Sequence, residues 1–254
     1  MIDIHSHLLP AIDDGSRSVE QSVRVLDWFA AEGVTDVILT PHTSAAELAH
    51  DPEAAVDRRA GAFEKLAAQA PSVPKLHLGF EIMLDQPLSA MVIGDRRFSL
   101  AGSRYYLVEF HRSIAAQAAQ MALKKIAQAG AAPMIAHPER YESCTPRVVA
   151  GWRSTGAKIQ IDATALTRSN TRARNARQLV AHGLANVVAA DNHGCDRCIT
   201  TAVRFLEERG APETAHWLAT ENAAAILGDR DLADVPAIPL REDMWNRIKN
   251  IMGR

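Results

Sequence analysis

Seven short β-branched runs, each followed by a stretch of helical character or by room for one, constrain this chain more than any other feature. The runs fall at 2–6, 34–40, 75–80, 105–110, 133–137, 158–161 and 187–190. Between the first two, Val19, Val23, Leu26 and Ala30 recur at close to a helical period, predicting a helix over 18–32. Segments 52–69, 115–129, 147–154, 172–181 and 197–209 read the same way. Gly33, Gly130, Gly156, Gly183 and Gly210 each follow a helical run, where a C-terminal cap sits. This alternation predicts an α/β fold with parallel strands. A closed barrel and an open doubly wound sheet both fit it, and 254 residues is an ordinary length for a barrel. No Gly-x-Gly-x-x-Gly follows the first run and no Gly-Lys-Ser/Thr loop occurs, so a dinucleotide or P-loop fold is unsupported.

Composition narrows the function classes. With 47% hydrophobic and 23% charged residues, the chain buries a core without disulfide or zinc staples. A net charge of −2 argues against nucleic acid as a main partner. No window of 18 apolar residues is uninterrupted, so no membrane span is expected. The start Met1-Ile2-Asp3-Ile4-His5 lacks the features of a secretory leader, and three cysteines cannot all pair. Both points lead us to expect a reducing, cytoplasmic setting. Near the end, Leu240, Met244, Trp245, Ile248 and Ile251 follow Pro236 and Pro239 at roughly helical spacing. We expect a catalytic domain over 1–228 and a tail over 229–254 carrying a short amphipathic helix.

The chemistry lies where imidazoles and carboxylates fall. The first run ends His5-Ser6-His7 and the second leads into Pro41-His42. Glu81, Glu109 and His137 end the next three, and the last runs into Asp191-Asn192-His193. The loop after the first run adds Asp13-Asp14. In a parallel barrel these ends meet on one catalytic face. His5 and His7 are two apart and point to one side of a strand. A lone histidine at a strand end is usually structural, but six runs delivering such residues to one edge is not. Imidazole with carboxylate and no thiolate suits manganese, iron or zinc. Nine ligands, His5, His7, Asp14, His42, Glu81, Glu109, His137, Asp191 and His193, exceed one tetrahedral shell. We therefore expect two or three divalent ions, manganese first among them. Such a site makes hydroxide near neutral pH and clamps both oxygens of an in-line displacement, so phosphoester hydrolysis by a metal-bridging hydroxide is the natural reaction. Arg140 and Arg197 are candidates to hold the phosphoryl group, since a guanidinium fork matches its oxygens. No general acid is legible: Asp13 and His111 are in reach of the role, but a structural or exposed place suits either better.

Other motifs compete. Cys198-Ile-Thr-Thr-Ala-Val-Arg204 has the spacing of a thiol-based tyrosine phosphatase, but it lacks glycine and continues a helical pattern. Cys195-x-x-Cys198 has no second pair and reads as two ordinary thiols. Trp28, Trp152, Trp217 and Trp245 read as packing residues.

Taken in order, Met-Ile-Asp-Ile-His-Ser-His, Asp13-Asp14-Gly15, Thr40-Pro41-His42, Glu81, Leu107-Val108-Glu109-Phe110, Ala136-His137-Pro138-Glu139-Arg140-Tyr141, Asp191-x-His193 and Thr220-Glu221-Asn222 resemble the polymerase-and-histidinol-phosphatase (PHP) superfamily. The resemblance is strongest to its bacterial capsule- and exopolysaccharide-type tyrosine phosphatases and spans residues 1 to about 227. It implies a distorted seven-stranded (β/α) TIM-like barrel with a trinuclear centre. By matched position, His5, His7, Glu81 and Asp191 would hold one ion. Glu81, Glu109 and His137 would hold a second, and Asp14, His42 and His193 a third. The implied substrate is phosphotyrosine on an autokinase of polysaccharide export, with Arg140 and Arg197 binding phosphate. Asn192, Cys195, Cys198 and the tail depart from the pattern. A histidinol-phosphate or other small-molecule phosphatase is the rival enzyme, and a barrel scaffold for protein interaction the non-enzyme alternative. Oligomeric state and physiological phosphoprotein are not legible in the sequence.

Overall fold

A computed structural model describes residues 1–240. In chain order the elements are β1 (Ile2–Ser6), α1 (Val19–Ala31), β2 (Asp36–Leu39), β3 (His42–Ser44), α2 (Ala45–His50), α3 (Pro52–Ala67), β4 (Lys75–Leu78), β5 (Glu81–Met83), α4 (Ala90–Gly94) and β6 (Tyr105–Glu109). They continue as α5 (Ala116–Gln128), β7 (Ala132–Ile135), α6 (Pro146–Arg153), β8 (Lys158–Asp162), α7 (Thr171–Ala181), β9 (Val187–Ala189), α8 (Thr200–Glu207), α9 (Pro212–His216) and α10 (Asn222–Leu227). Every strand pair is parallel, as the strand–helix alternation predicts. One sheet has the order β1-β2-β4 and the other β3-β5-β6-β7-β8-β9.

The strand count corrects the sequence reading. Seven runs were expected, and nine strand segments are present among the described residues. The second and third runs are each broken. Thr40-Pro41 separates β2 from β3, because proline has no N–H for the ladder. Gly79-Phe80 separates β4 from β5. A Cβ at Gly79 would lie 3.1–3.3 Å from the side chains of Ile38, Leu100 and Thr40, so the backbone passes closely here. Bonding continues across both breaks, from Gly79 N–H to Leu39 O at 2.9 Å and from Glu81 N–H to Pro41 O at 3.1 Å.

Strand side chains are buried on both faces. Ile4, Leu107, Met134 and Ala189 share one apolar cluster, while Val37, Val108, Ile135, Ile159 and Val188 pack in a second, with residues from the helices. This is the period-two alternation of a strand with a core on each side. The helix stops are local. Gly33, at φ +84°, follows α1, and its neighbour Val34 donates to Phe29 O at 2.9 Å.

Past α10 the chain is irregular through residue 240. It packs back on the domain: Ala233 N–H bonds Asn222 Oδ1 at 2.9 Å, Ile238 N–H bonds Ala181 O at 3.0 Å, and Leu232 and Val235 are buried. The amphipathic helix expected around Met244, Trp245, Ile248 and Ile251 lies outside the described residues. No helix among the described residues is long and apolar enough to cross a membrane.

Candidate metal centre

The register of the strands stacks the ligands. His42 of β3 is level with Glu81 of β5, and Met83 of β5 with Glu109 of β6. β1 carries His5 and leads directly into His7, and its end joins the segment that follows β9. Asp191 N–H donates to His5 O at 2.9 Å and His7 N–H to Asn192 O at 2.7 Å. His137 and Asp191 follow β7 and β9 with φ of +32° and +47°. Both sit in the left-handed region that a side chain disfavours, a local strain of the kind found at functional sites.

All nine sequence-predicted ligands come together. The ring nitrogens His5 Nε2 and His7 Nε2 are 3.1 Å apart. Glu81 Oε2 lies 3.1 Å from His5 Nε2, 3.2 Å from His7 Nε2 and 3.0 Å from His42 Nδ1, and Glu81 Oε1 lies 2.9 Å from His137 Nε2. Asp191 Oδ1 is 3.5 Å from both His5 and His7 and 3.6 Å from His193 Nδ1. Asp14 Oδ1 stands 3.4 Å from His42 Nε2 and from His193 Nε2. Glu109 Oε1 is 3.6 Å from His42 Nδ1. Donor atoms gather within 4.8 Å in four sets: His7-Asp14-His42-His193, His5-His7-Glu81, His5-His137-Asp191 and His42-Glu81-Glu109. The sets share residues, as a multinuclear site requires.

The donors fit divalent ions. Glu81 Oε2 is fully buried, has three imidazole nitrogens at 3.0–3.2 Å, and makes no hydrogen bond of acceptable geometry. A buried carboxylate oxygen with three imidazole nitrogens beside it and no hydrogen bond is left open for a cation. An all-nitrogen and oxygen donor set of this kind suits manganese, iron or zinc.

Electrostatics are strongly coupled. Burial disfavours a charged His5, yet Glu81 and then Asp191 push it up to about 9. His7 is raised too: burial opposes its charge, and the carboxylates of Asp13, Asp191 and Glu81 prevail. Burial also opposes an ionised Glu81, but His5, His137 and His42 hold it well below the usual carboxylate range. Glu109 moves the other way. Burial, then the charge of Glu81, pushes it up to about 7.

Residues beyond the ligands orient them. Gln160 Oε1, on β8, lies 3.1 Å from His5 Nδ1 and accepts from His137 N–H at 3.2 Å. Asp13 has the structural role that the sequence favours over a general acid. Its carboxylate lies 2.8 Å from His7 Nδ1 and accepts from the N–H groups of His42 and Gly15 at 3.0 and 2.9 Å. Burial opposes its charge, but His7 holds it down at about 2, so Asp13 is an acceptor and not a proton donor. His111 is exposed and bonds Ser113. Gly15 is needed for close approach, since a Cβ there would lie 2.1 Å from His7 O.

Arg140 and Arg197 flank the centre. Arg140 Nη2 is 2.8 Å from Asp162 Oδ2 and also contacts Asp191 Oδ2. Arg197 Nη1 is 3.2 Å from Asp191 Oδ2 and 4.0 Å from Asp162 Oδ2. Together they line a cavity of about 290 Å³ with His193, Asp162 and Asp191. Asn192, a departure from the expected pattern, braces the loop that carries Arg197. Its amide donates to Cys195 O at 2.8 Å and Arg197 O at 2.6 Å, and its oxygen accepts from Gly194 N–H at 2.7 Å.

Sequence reasoning missed Gln160 and Asp162. They stand two apart at the end of β8, so they share a face. The β-branched pattern of the sixth run stops at residue 161, one short of Asp162, and glutamine carries no metal signal. The thiol motif has no site. Cys198 is buried, and Arg204 on α8 is exposed and paired with Glu32 at 2.5 Å. Thr220-Glu221-Asn222 plays a structural part through Asn222, whose amide donates to Asn186 O at 2.9 Å and Ala233 O at 3.0 Å.

A family model described as capsular polysaccharide synthesis, CpsB/CapC, matches residues 1–228. The chain belongs to this family. The tyrosine-protein phosphatase YwqE of Bacillus subtilis is 29% identical over 250 residues, covering 95% of this chain and 97% of that protein. The tyrosine-protein phosphatase CpsB of Streptococcus pneumoniae is 26% identical over 242 residues, covering 91% and 99%. A solved structure from work on YwqE and CpsB, described as metal-dependent tyrosine phosphatases, matches with a TM-score of 0.79 at 26% identity. It covers 95% of this chain and 100% of that one. A lactonase from Listeria monocytogenes matches with a TM-score of 0.57 at 12% identity, a likeness of fold alone.

Proposed function

We propose that this protein is a metal-dependent phosphatase that hydrolyses phosphotyrosine on a protein, with a bacterial tyrosine autokinase of polysaccharide export as its substrate. The observation that carries this is the convergence of nine imidazole and carboxylate ligands beside a cavity that holds Arg140 and Arg197. The named activity of YwqE and CpsB supports it.

We read the nine strand segments as a distorted seven-stranded barrel of the PHP type. The bonds across the two broken strands and the parallel bridge Ser6–Asn192 support that reading. Residues 1–228 would be the catalytic unit and 229–254 a tail. Three unpaired thiols among the described residues favour a reducing, cytoplasmic location.

His5, His7, Glu81 and Asp191 would hold one ion, Glu81, Glu109 and His137 a second, and Asp14, His42 and His193 a third, manganese being our first choice. When bound, such ions supply hydroxide near neutral pH and counter-charge for phosphoryl oxygens. The chain's own residues do the rest. Arg140 and Arg197 direct N–H groups at the phosphoryl oxygens and offset their charge. Asp162 and Asp191 hold both guanidinium groups in place. Asp13 and Gln160 fix the ring orientation of His7 and His5. The leaving phenolate, with a pKa of about 10, needs less protonation than an alkoxide, so a dedicated acid is not demanded.

The test is a head-to-head assay of the manganese-loaded full chain on a phosphotyrosine peptide and on histidinol phosphate. We expect release from the peptide to be favoured. Preference for histidinol phosphate would keep the centre and overturn the substrate. Release from neither would favour a scaffold role.

A further inference from the structure

The cavity beside the metal centre carries more positive charge than one phosphoryl group needs. Five arginines line it: Arg112, Arg140, Arg168, Arg172 and Arg197. Its carboxylates, Asp162 and Asp191, already pair with Arg140 and Arg197, and Glu139 is buried behind them with Oε1 accepting Asp162 N–H at 2.9 Å. Among the described residues, the arginine salt bridges of the cavity fall on those two inner arginines.

Arg112, Arg168 and Arg172 are exposed and come from three different places: the loop after β6, the turn after β8, and the first turn of α7. Their backbones are tied down. Arg112 O accepts from Glu142 N–H at 2.9 Å, Arg168 O accepts from Arg177 Nη1 at 2.9 Å, and the Asn170 side chain caps α7 by accepting from Ala173 N–H at 3.0 Å. Three like charges facing one opening repel one another. Burial lowers the Arg172 guanidinium, and Arg112, Arg140 and Arg168 lower it further. Such a cluster is relieved when an anion enters. The two inner arginines take the phosphate, so the outer three are left for a second negative group.

We propose that Arg112, Arg168 and Arg172 form a subsite for an acidic side chain next to the phosphotyrosine, so that the enzyme prefers phosphotyrosine in acidic sequence. This rests on the phosphatase reading above. An extended peptide advances about 3.3 Å per residue. A residue one or two positions from the phosphotyrosine is therefore about 3–7 Å along the chain from it, and the three outer arginines share the cavity with the two that would take the phosphate.

The experiment compares two phosphotyrosine peptides of equal length, one flanked by glutamates and one by glutamines, with the manganese-loaded full chain. We expect kcat/KM to favour the acidic peptide by about five-fold or more, through KM. The ratio should fall toward one as salt is raised. It should also fall toward one in the double variant Arg168→Gln/Arg172→Gln, and reverse in Arg112→Glu, with unchanged Tm in each. Equal kcat/KM for the two peptides, or an acidic preference that survives all three substitutions, overturns the subsite and leaves the phosphatase reading standing. Release from neither peptide, with p-nitrophenyl phosphate still hydrolysed, overturns the phosphotyrosine reading and the subsite with it.

Discussion

Arg140 Nη2 lies 2.8 Å from Asp162 Oδ2, so the guanidinium that faces the cavity is held from behind by the last residue of β8. Asp162 also receives the N–H and hydroxyl of Thr164 at 2.9 and 2.7 Å, which fixes its own carboxylate. A positioning carboxylate of this kind acts on binding. Asp162→Ala is expected to raise KM for a phosphotyrosine peptide about ten-fold, with metal content unchanged. Steady-state kinetics beside elemental analysis checks it, and a loss of metal instead would give Asp162 a different role.

Gly15 lets the Asp13-Asp14 loop lie against His7. A Cβ there would sit 2.1 Å from His7 O and 2.5 Å from His7 Cβ, so the loop must move. Gly15→Ala should shift Asp13 off His7 Nδ1 and Asp14 away from His42 and His193. A displacement near 1 Å costs about 100-fold in rate. We expect that loss with one fewer ion bound per chain, measured by elemental analysis and turnover on the same sample.

The centre sets the sign of the pH dependence of stability. In the metal-free protein His5 is raised from 6.5 to about 9, and His7 and His42 are also raised. A raised histidine stabilises fully below its unfolded pKa, and that contribution is lost as pH rises through the folded one. Glu109 and Asp3, both raised to about 7, disfavour the folded state as pH rises from about 4 to about 7, so their loss precedes that of the histidines. The metal-free Tm should therefore fall between about pH 6.5 and 9. Metal-bound imidazole is neutral, as unfolded imidazole is above about pH 6.5, so the loaded protein should hold its stability over that window. Thermal melts in chelator and in manganese decide this; parallel slopes would contradict it.

Cysteine chemistry offers a control. Burial pushes the Cys144 thiol up to about 12 and raises Cys198, while Cys195 is exposed. The thiolate is the reactive form. At about pH 8 an alkylating agent should therefore modify Cys195 first, in the cavity that Arg197 lines, and Cys195→Ser should make turnover of a small phosphoester resistant to it. Mass spectrometry of the alkylated protein locates the adduct, and inactivation that tracks modification of Cys198 would revive the thiol mechanism.

Most of the candidate centre was legible because its imidazoles and carboxylates sit at strand ends, and strand ends follow from the β-branched runs and the glycine stops after the helices. His5 and His7 needed only the period of a strand. The breaks at Pro41 and Gly79 were harder to see, since the bonding that carries on across them depends on neighbouring strands. Gln160 and Asp162 share a face of β8, but the β-branched pattern stops at residue 161, and their roles depend on His5 and Arg140, far off in sequence. The left-handed backbones of His137 and Asp191 are imposed by surrounding contacts and leave no local mark, since neither residue is glycine. Arg112, Arg168 and Arg172 meet only because three loops converge.

The most direct measurement is phosphate release from a phosphotyrosine peptide by the full chain, first stripped with chelator and then restored with manganese. We expect release to be lost on stripping and to return with manganese, and Glu81→Gln, which alters the carboxylate facing four histidines, not to recover it. Release that survives complete removal of metal would contradict it.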